Sequence, residues 1–207
     1  MENYVITIAR GYGSGGRTIG MMLAREFNIP YYDRELMRLA SDESGINEEL
    51  FAKADESLKK SLLFKIARKE YNGELIPPDR EDFVSNDNLF AYQAKVIKDL
   101  AAEGPCIIVG RCADFVLKDV PNVLRLYIHA PMKDCVKRAK GHLQGNDKEV
   151  EKQILAIDKR RASYYKYYTG KNWSDAGNYD MCLNTGNMDY ETCVKIVKSY
   201  LEIREGK

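Results

Sequence analysis

Residues 4–27 read YVITIARGYGSGGRTIGMMLAREF, and this stretch decides the fold. Residues 4–9 form a short run rich in β-branched side chains, which predicts a buried strand. A glycine cluster interrupts the run, and apolar side chains then recur at helical spacing over residues 18–27 until Asn28-Ile29-Pro30 ends the pattern. The sequence therefore predicts a strand, a tight loop and a helix in direct succession.

The loop between the two elements, residues 11–18, has the sequence GYGSGGRT. It matches the phosphate-loop pattern G-x-x-x-x-G-K-[ST] at every fixed position except that Arg17 stands where lysine is expected. Its glycines allow the backbone N–H groups to wrap closely around a polyphosphate. We therefore predict that the loop binds ATP. The alternative is a glycine-rich turn that merely joins the strand to the helix.

Seven residues of this loop are predicted to hold the nucleotide: Gly11, Gly13, Ser14, Gly15, Gly16, Arg17 and Thr18. Arg17 would meet β- and γ-phosphate oxygens, and the Thr18 hydroxyl would ligate Mg²⁺. Because a guanidinium group is planar and longer than an ammonium group, the exchange of lysine for Arg17 changes the geometry at this position.

Strands and helices alternate along much of the remaining chain. Further strands are predicted at residues 29–32, 106–110, 123–129 and 179–183, and further helices at residues 34–40, 87–103 and 190–204, with Asp33 as the N-cap of the helix that follows it. This alternation indicates an α/β protein with a parallel sheet covered by helices on both faces. Ligands bind such sheets at the carboxyl ends of the strands.

The chain is predicted to form one domain with two additions to its core. The core comprises residues 1–40, 89–132 and 172–207. Residues 41–88 carry no clear strand signal and are predicted to be an inserted, helical subdomain. Residues 133–171 hold 11 Lys and Arg against 5 Asp and Glu, which indicates a basic segment within a chain whose net charge is only +1.

The composition excludes several classes of function. The 207 residues contain 32 basic and 31 acidic side chains, which disfavours nucleic acid as a partner. Neither a secretory signal nor an apolar run of membrane-spanning length is present, so we expect a cytoplasmic protein without a membrane partner. Five scattered cysteines without a C-x-x-C pair are expected to be buried thiols. Nothing in the sequence indicates the oligomeric state.

Five strings, the first of which contains the phosphate loop, give the chain a resemblance that covers most of its length. They are ITIARGYGSGGRTIG at residues 6–20, IPYYDREL at 29–36, IIVGRCAD at 107–114, and IDKRRASYYKYYTG at 157–170 followed by NYDMCLNT at 178–185. In this order they resemble the cytidylate kinase-like family of nucleoside monophosphate kinases. The resemblance implies a three-layer P-loop NTPase fold, with a helical insert that binds the nucleoside monophosphate and a mobile lid. It also implies phosphoryl transfer from ATP to a pyrimidine nucleoside monophosphate.

The resemblance places Asp33, Arg38 and Arg111 on the acceptor side of the site. Asp33 and Arg38 follow the second strand, where residues of the family contact the acceptor, and Arg111 resembles the arginine of the family's D-G-R motif. The aspartate of that motif is absent, because Val109 precedes Gly110. An expected outer-sphere partner of Mg²⁺ is therefore missing.

The basic segment fits a lid, because phosphoryl transfer needs cations around the moving group and exclusion of water. The candidates are Arg138, Arg160 and Arg161, with Asp158 placed to orient a guanidinium or a substrate group. Arg17, Arg138 and Arg161 are predicted to be catalytic, and Asp158 and Arg160 to bind substrate. A solvated basic helix face is the alternative. Tyr164, Tyr165, Tyr167 and Tyr168 are interpreted as packing residues rather than as stacking platforms for single-stranded nucleic acid.

Three hypotheses of function follow. The first is a kinase that phosphorylates CMP, dCMP or a related monophosphate. The second keeps the ATP loop but gives the enzyme another small-molecule acceptor, since no base-reading residue is identifiable in residues 41–88. The third is a non-catalytic nucleotide-binding or regulatory module.

Overall fold

The fold is seen in a computed structural model that describes residues 4–57 and 73–206. Five strands lie at Val5–Arg10 (β1), Tyr31–Tyr32 (β2), Cys106–Val109 (β3), Val123–His129 (β4) and Met181–Asn184 (β5). Within the described residues, eight α-helices lie at Gly16–Phe27 (α1), Glu35–Ser44 (α2), Glu48–Ser57 (α3), Asn86–Glu103 (α4), Ala113–Val116 (α5), Met132–Ala139 (α6), Asp147–Thr169 (α7) and Tyr190–Arg204 (α8). Every predicted strand and helix is therefore present.

All five strands join one parallel sheet in the order β2-β3-β1-β4-β5. Strand β1 lies in the centre, with β3 on one side and β4 on the other. The carboxyl ends of β2, β3 and β1 are consequently neighbours at one edge of the sheet. Residues that directly follow these strands are brought together there.

Helices cover both faces of the sheet, which confirms the three-layer α/β architecture. Val5 and Ile108 face the layer that includes α2, α3 and α4, whereas Ile6 and Ile107 face the layer of α1 and α8. Side chains on a strand alternate between the two faces, so each strand contributes to both cores. Because the central strands are buried on both faces, their sequences are continuous apolar runs rather than alternating ones.

A smaller third core joins the two helices of the basic segment. Cys135 and Val136 on α6 pack with Val150 and Ile154 on α7, and Tyr12 of the phosphate loop lies against this cluster. The Tyr-rich end of α7 instead packs into the larger core, where Tyr168 stacks on a buried side chain of α4. The interpretation of these tyrosines as packing residues is confirmed.

Two sequence-based predictions are wrong in detail. Asp33 does not cap α2, because the N-cap is Arg34 and makes no side-chain capping bond. The Asp33 carboxylate is instead paired with arginines. Cys182 is exposed rather than buried, because it lies on the edge strand β5, whereas the other four cysteines are buried.

The inserted segment is described only in part. Residues 41–57 and 73–88 contain helix and turns, and the rest of the predicted insert lies outside the described residues. Within the part of the chain that the structure describes, no helix is both long and apolar enough to cross a membrane.

Candidate active site

The phosphate loop, residues 11–18, connects the end of β1 to the first turn of α1. Gly13 and Gly15 have φ angles of 75° and 85°, a left-handed conformation that side chains other than glycine rarely adopt. The Ser14 side chain is buried, and its hydroxyl donates a hydrogen bond of 2.8 Å to the Gly11 carbonyl. The loop is thereby turned back on itself.

Several loop amides remain available to an anion. Among the described residues, no hydrogen-bond acceptor is found for the backbone N–H groups of Gly13, Gly15, Gly16, Arg17 and Thr18. The first N–H groups of a helix have no partner inside that helix, and the helix dipole places partial positive charge at the same point. This is the donor set that binds phosphate at helix N-termini.

Close packing against two helices fixes the shape of the loop. A Cβ atom on Gly13 would lie 2.6 Å from the Cys135 carbonyl oxygen on α6, and one on Gly15 would lie 2.4 Å from the ring of Tyr190 on α8. Real Cβ atoms do not approach other atoms so closely. Glycine is therefore required at both positions for steric reasons as well as for the φ angle.

The carboxylate of Asp33 lies between two arginines. It accepts a hydrogen bond from Nε of Arg17 and is also paired with the terminal nitrogen Nη2 of that residue. Its other oxygen lies 3.6 Å from Nη2 of Arg10. The ion pairs explain why Asp33 is not the helix cap: its side chain points towards Arg10 at the carboxyl end of β1 and towards Arg17 in the first turn of α1.

Arg10 is the site residue that the sequence analysis missed. It is the last residue of β1, and only 17% of its side chain is exposed. Burial, followed by repulsion from Arg161, Arg111 and Arg17, lowers the pKa of Arg10 to about 10, while Asp33 acts in the opposite direction. The only sequence signal is an arginine directly before the phosphate loop, at the carboxyl end of a buried strand.

Arg111 has an unusual backbone conformation. Gly110, Arg111 and Cys112 have consecutive φ angles of 82°, 56° and 54° directly after β3. Non-glycine residues in this region cost free energy and concentrate at functional sites. The Arg111 guanidinium contacts the Met37 sulfur on α2 at 3.2 Å, so it bridges the end of β3 and the helix that begins the predicted insert.

Asp158 and Arg161 connect α7 to the phosphate loop. Both carboxylate oxygens of Asp158 accept from the Tyr12 N–H at 3.0 Å, and Arg161 Nη1 donates to Asp158 at 2.9 Å and to the Arg10 carbonyl at 3.1 Å. Burial raises the pKa of Asp158, while Arg161 opposes that shift. Burial likewise lowers the pKa of Arg161. These contacts attach the basic segment to the front of the loop.

Arg138 contacts protein groups that shape the loop. Its Nη1 donates to the Thr185 hydroxyl at 2.8 Å and lies 3.4 Å from the Gly13 carbonyl, and its Nη2 donates to the Thr185 carbonyl at 2.8 Å. The buried Thr185 hydroxyl in turn donates to the Ser14 carbonyl at 2.7 Å. The arginine therefore connects α6, the phosphate loop and the end of β5.

The remaining two predicted arginines lie away from these contacts. Arg38 is more than half exposed and pairs with Glu35 at 2.8 Å and Asp42 at 3.2 Å, both on its own helix. Arg160 is partly exposed on α7, beside Arg161 in the sequence. Their roles in binding substrate stay predictions.

The described residues suit a metal ion that is bound mainly through phosphate. Residues 4–57 and 73–206 contain no cluster of three or more His, Cys, Asp or Glu side chains that could hold a cation by themselves. Mg²⁺ commonly keeps several waters and binds one or two protein oxygens plus the phosphates of its substrate. The Thr18 hydroxyl, in the first turn of α1 beside the available loop amides, fits that requirement.

Comparisons with solved structures identify the fold. An uncharacterised protein of Eubacterium ventriosum superimposes with a TM-score of 0.72 at 26% identity, covering 97% of this chain and 99% of the other. Shikimate kinase of Bacteroides thetaiotaomicron gives a TM-score of 0.55 at 15% identity, with coverage of 96% and 98%. The fold, with its loop between β1 and α1, is that of the P-loop kinases.

Comparisons of sequence define the family. The model of the cytidylate kinase-like family matches residues 5–187. A cytidylate kinase of Methanopyrus kandleri is 23% identical over 207 residues, covering 96% of this chain and 93% of the relative. One of Sulfurisphaera tokodaii is 24% identical over 206 residues, covering 98% of each chain. The chain belongs to the cytidylate kinase-like family.

Proposed function

We propose that the protein transfers a phosphoryl group from ATP to a nucleoside monophosphate, with CMP or dCMP as the acceptor. The observation that carries this proposal is the meeting of two anion-binding features at one edge of the sheet. The first is the set of available amides in the phosphate loop, and the second is the group of arginines around Asp33. Membership of the cytidylate kinase-like family supports the choice of acceptor.

The donor phosphates are assigned to the phosphate loop. The loop amides would cradle the polyphosphate, and Arg17, which is 47% exposed beside them, would pair with its terminal oxygens. Thr18 would hold Mg²⁺ through its hydroxyl. The metal, when bound, neutralises charge on the phosphate oxygens.

The acceptor is assigned to the neighbouring end of β3 and to the predicted insert, residues 41–88. Arg111 would bind the acceptor phosphate, since a guanidinium group can meet two phosphate oxygens at once. Asp33 lies in the same group of charges and would contact the acceptor once an incoming phosphate has taken over its arginine partners.

The transfer itself depends on positioning and charge. Arg161 would stabilise negative charge on the transferring group, because its guanidinium already reaches the end of β1. Asp158 orients Arg161 and holds the front of the loop, while Arg138 holds its back through Gly13 and Thr185. The acceptor phosphate is an anion before it reacts, so the site needs no strong general base.

The proposal is tested with the full chain, ATP, Mg²⁺ and a panel of acceptors: CMP, dCMP, UMP, AMP, shikimate and simple sugars. We expect turnover with CMP or dCMP at a higher kcat/KM than with any other acceptor. Turnover only with shikimate or a sugar would show a kinase of another kind. Binding of ATP without turnover on any acceptor would show a non-catalytic module.

Variants connect the activity to the site. Arg17→Ala and Arg111→Ala should each lower kcat/KM at least tenfold, with the first acting on ATP and the second on the acceptor. Arg25→Ala is the matched control, since Arg25 is exposed and lies near the far end of the same helix as Arg17. Unchanged activity in Arg17→Ala and Arg111→Ala would contradict their assigned roles.

A further inference from the structure

Arg10 is not part of the phosphate-loop pattern, yet it lies at the centre of the arginine group. Its side chain is largely buried at the carboxyl end of β1. Among the described residues, its Nε atom has no hydrogen-bond partner, and the contact of Nη2 with Asp33 is long at 3.6 Å. A buried cationic group with an unused donor is costly unless a partner is supplied.

Two glycines make room for this side chain. A Cβ atom on Gly16 would lie 2.5 Å from Cβ of Arg10, and one on Gly110 would lie 2.6 Å from its Nη1. Gly16 belongs to the phosphate loop, whereas Gly110 directly follows β3 and precedes Arg111. The side chain of Arg10 therefore runs from the loop assigned to the donor towards the residue assigned to the acceptor phosphate.

The charges around Arg10 favour an anion. Arg10, Arg17, Arg111 and Arg161 are close enough for the other three to oppose the charge on Arg10, whereas Asp33 supports it and Asp158 also feels its charge. Asp158 is already occupied by the Tyr12 amide and by Arg161. A phosphate group brought into this cluster would supply both the missing charge and acceptors in the fork geometry that guanidinium groups prefer.

We propose that Arg10 is a phosphate-binding residue of this site, whose guanidinium lies between the terminal phosphate of the donor and the phosphate of the acceptor. Arg10 thus provides buried positive charge that the loop cation cannot, because Arg17 is half-exposed and paired with Asp33. The inference rests on the proposed function and adds a residue to its machinery.

The first test measures the affinity of the full chain for inorganic tripolyphosphate by calorimetry, without an acceptor or metal. Arg10→Gln should weaken binding at least tenfold. Arg10→Lys should bind with intermediate affinity, because an ammonium group keeps the charge but not the planar fork. The midpoint of thermal unfolding of Arg10→Gln should be no lower than that of the wild type, because the substitution removes an incompletely paired buried charge. A purely structural role predicts a lower midpoint with unchanged tripolyphosphate affinity, and that result would overturn the inference.

A second test keeps Arg10 in the sequence but displaces its side chain. In Gly110→Ala the new methyl group displaces the Arg10 guanidinium. The control is Gly45→Ala: Gly45 has a φ of 71°, similar to the 82° of Gly110, but open space surrounds its Cβ position. Both variants carry similar backbone strain. Only Gly110→Ala should weaken tripolyphosphate binding, by severalfold. Equal affinities in the two variants would contradict the placement of Arg10 at the phosphate.

The two proposals fail in different ways. If the wild type phosphorylates no monophosphate, the proposed function is wrong, even though the loss of tripolyphosphate binding in Arg10→Gln would still identify a phosphate-binding arginine. If the wild type phosphorylates CMP and Arg10→Gln keeps its tripolyphosphate affinity, kcat and KM, only the inference about Arg10 is wrong.

Discussion

Arg17 and Asp33 form an ion pair that joins the first turn of α1 to the residue that follows β2. The pair connects the phosphate loop with the acceptor side of the proposed site. A phosphate that binds Arg17 must compete with the Asp33 carboxylate for the same guanidinium. Under the proposed function, the binding of the donor and the contact of Asp33 with the acceptor would therefore be coupled.

The coupling predicts opposite effects of Asp33→Asn on the two substrates. Affinity for ATP should rise by up to about fivefold, because an ion pair at a partly exposed site contributes roughly 1 kcal/mol or less. The KM for CMP should increase, since the carboxylate assigned to the acceptor is lost. Calorimetric titration with ATP and steady-state kinetics with CMP measure the two effects. Asp42→Asn, which removes an exposed partner of Arg38, is the control, and weaker ATP binding in Asp33→Asn would count against the competition.

The contacts of Arg138 predict that it acts through the shape of the loop. Thr185→Val removes the hydroxyl that joins Arg138 to the Ser14 carbonyl, and leaving these buried groups unpaired costs about 1–3 kcal/mol. We expect a higher KM for ATP and a lower free energy of unfolding. Arg138→Lys should change the same two quantities.

A direct catalytic role of Arg138 predicts a different result. Arg138→Lys would then lower kcat at saturating ATP, while Thr185→Val would leave both kcat and the KM for ATP unchanged. Steady-state kinetics at varied ATP concentration, combined with denaturant unfolding of both variants, separates the two roles.

The sequence predicted the fold well because most of its signals are local. The β-branched run before the glycine cluster defines β1, and the apolar run of β3 reflects burial on both faces of the sheet. The N-terminus of α7 was not predicted, although it too has a local signal: Asn146 and Glu149 form a capping box. The observed ends of the strands and helices that were predicted differ from the predicted ends by only a few residues.

The site was less predictable, because its contacts join residues that are far apart in the chain. Asp33 has the sequence context of a helix cap, yet arginines from two other elements compete successfully for its carboxylate. Arg10 is not part of the phosphate-loop pattern. Its position is recognised only in the structure, where the absence of side chains at Gly16 and Gly110 leaves room for its own side chain. Arg138 was predicted to be a cation for the transferring phosphate, whereas its described contacts are with Gly13, Thr185 and the ring of Tyr190.

Because Asp114 is buried, we expect it to make the stability of the protein depend on pH. Its carboxylate accepts a hydrogen bond of 2.7 Å from Tyr165, and burial raises its pKa in spite of that bond. An acid whose pKa is higher in the folded state binds protons more readily there than in the unfolded chain, so stability falls as pH rises from the usual range of an aspartate to its raised value. At pH values above the raised pKa, the loss of stability caused by the buried charged carboxylate remains constant.

We therefore expect the contribution of Asp114 to the wild-type free energy of unfolding to increase when the pH is lowered from neutral towards the normal carboxyl range. Asp114→Asn should reduce this increase, because the amide does not titrate but still offers an oxygen to the Tyr165 hydroxyl. Urea unfolding at several pH values measures the difference. Asp119→Asn, at an exposed position nearby, is the control. An equal slope in wild type and Asp114→Asn would exclude Asp114 as its source.

The packing of Tyr168 should contribute strongly to stability at the carboxyl end of α7. Its ring stacks on Phe90 of α4 with centroids 3.9 Å apart and planes inclined by 8°, and its hydroxyl donates to the Asn86 carbonyl at 3.0 Å. Both rings are almost completely buried. Tyr168→Ala should therefore lower the free energy of unfolding by about 3–5 kcal/mol, because removal of a large buried aromatic side chain leaves a cavity.

The matched variant Tyr168→Phe keeps the ring and removes only the hydroxyl, so it should cost about 1 kcal/mol. Tyr167→Phe, which removes a hydroxyl that bonds Asp87 at a less buried position, should cost less. Urea unfolding of the three variants gives this order directly. If Tyr168→Phe cost as much as Tyr168→Ala, the hydroxyl rather than the stacked ring would anchor the helix. Since the preceding turns of α7 carry Asp158 and Arg161 to the phosphate loop, loss of the ring should also raise the KM for ATP, whereas loss of either hydroxyl should not.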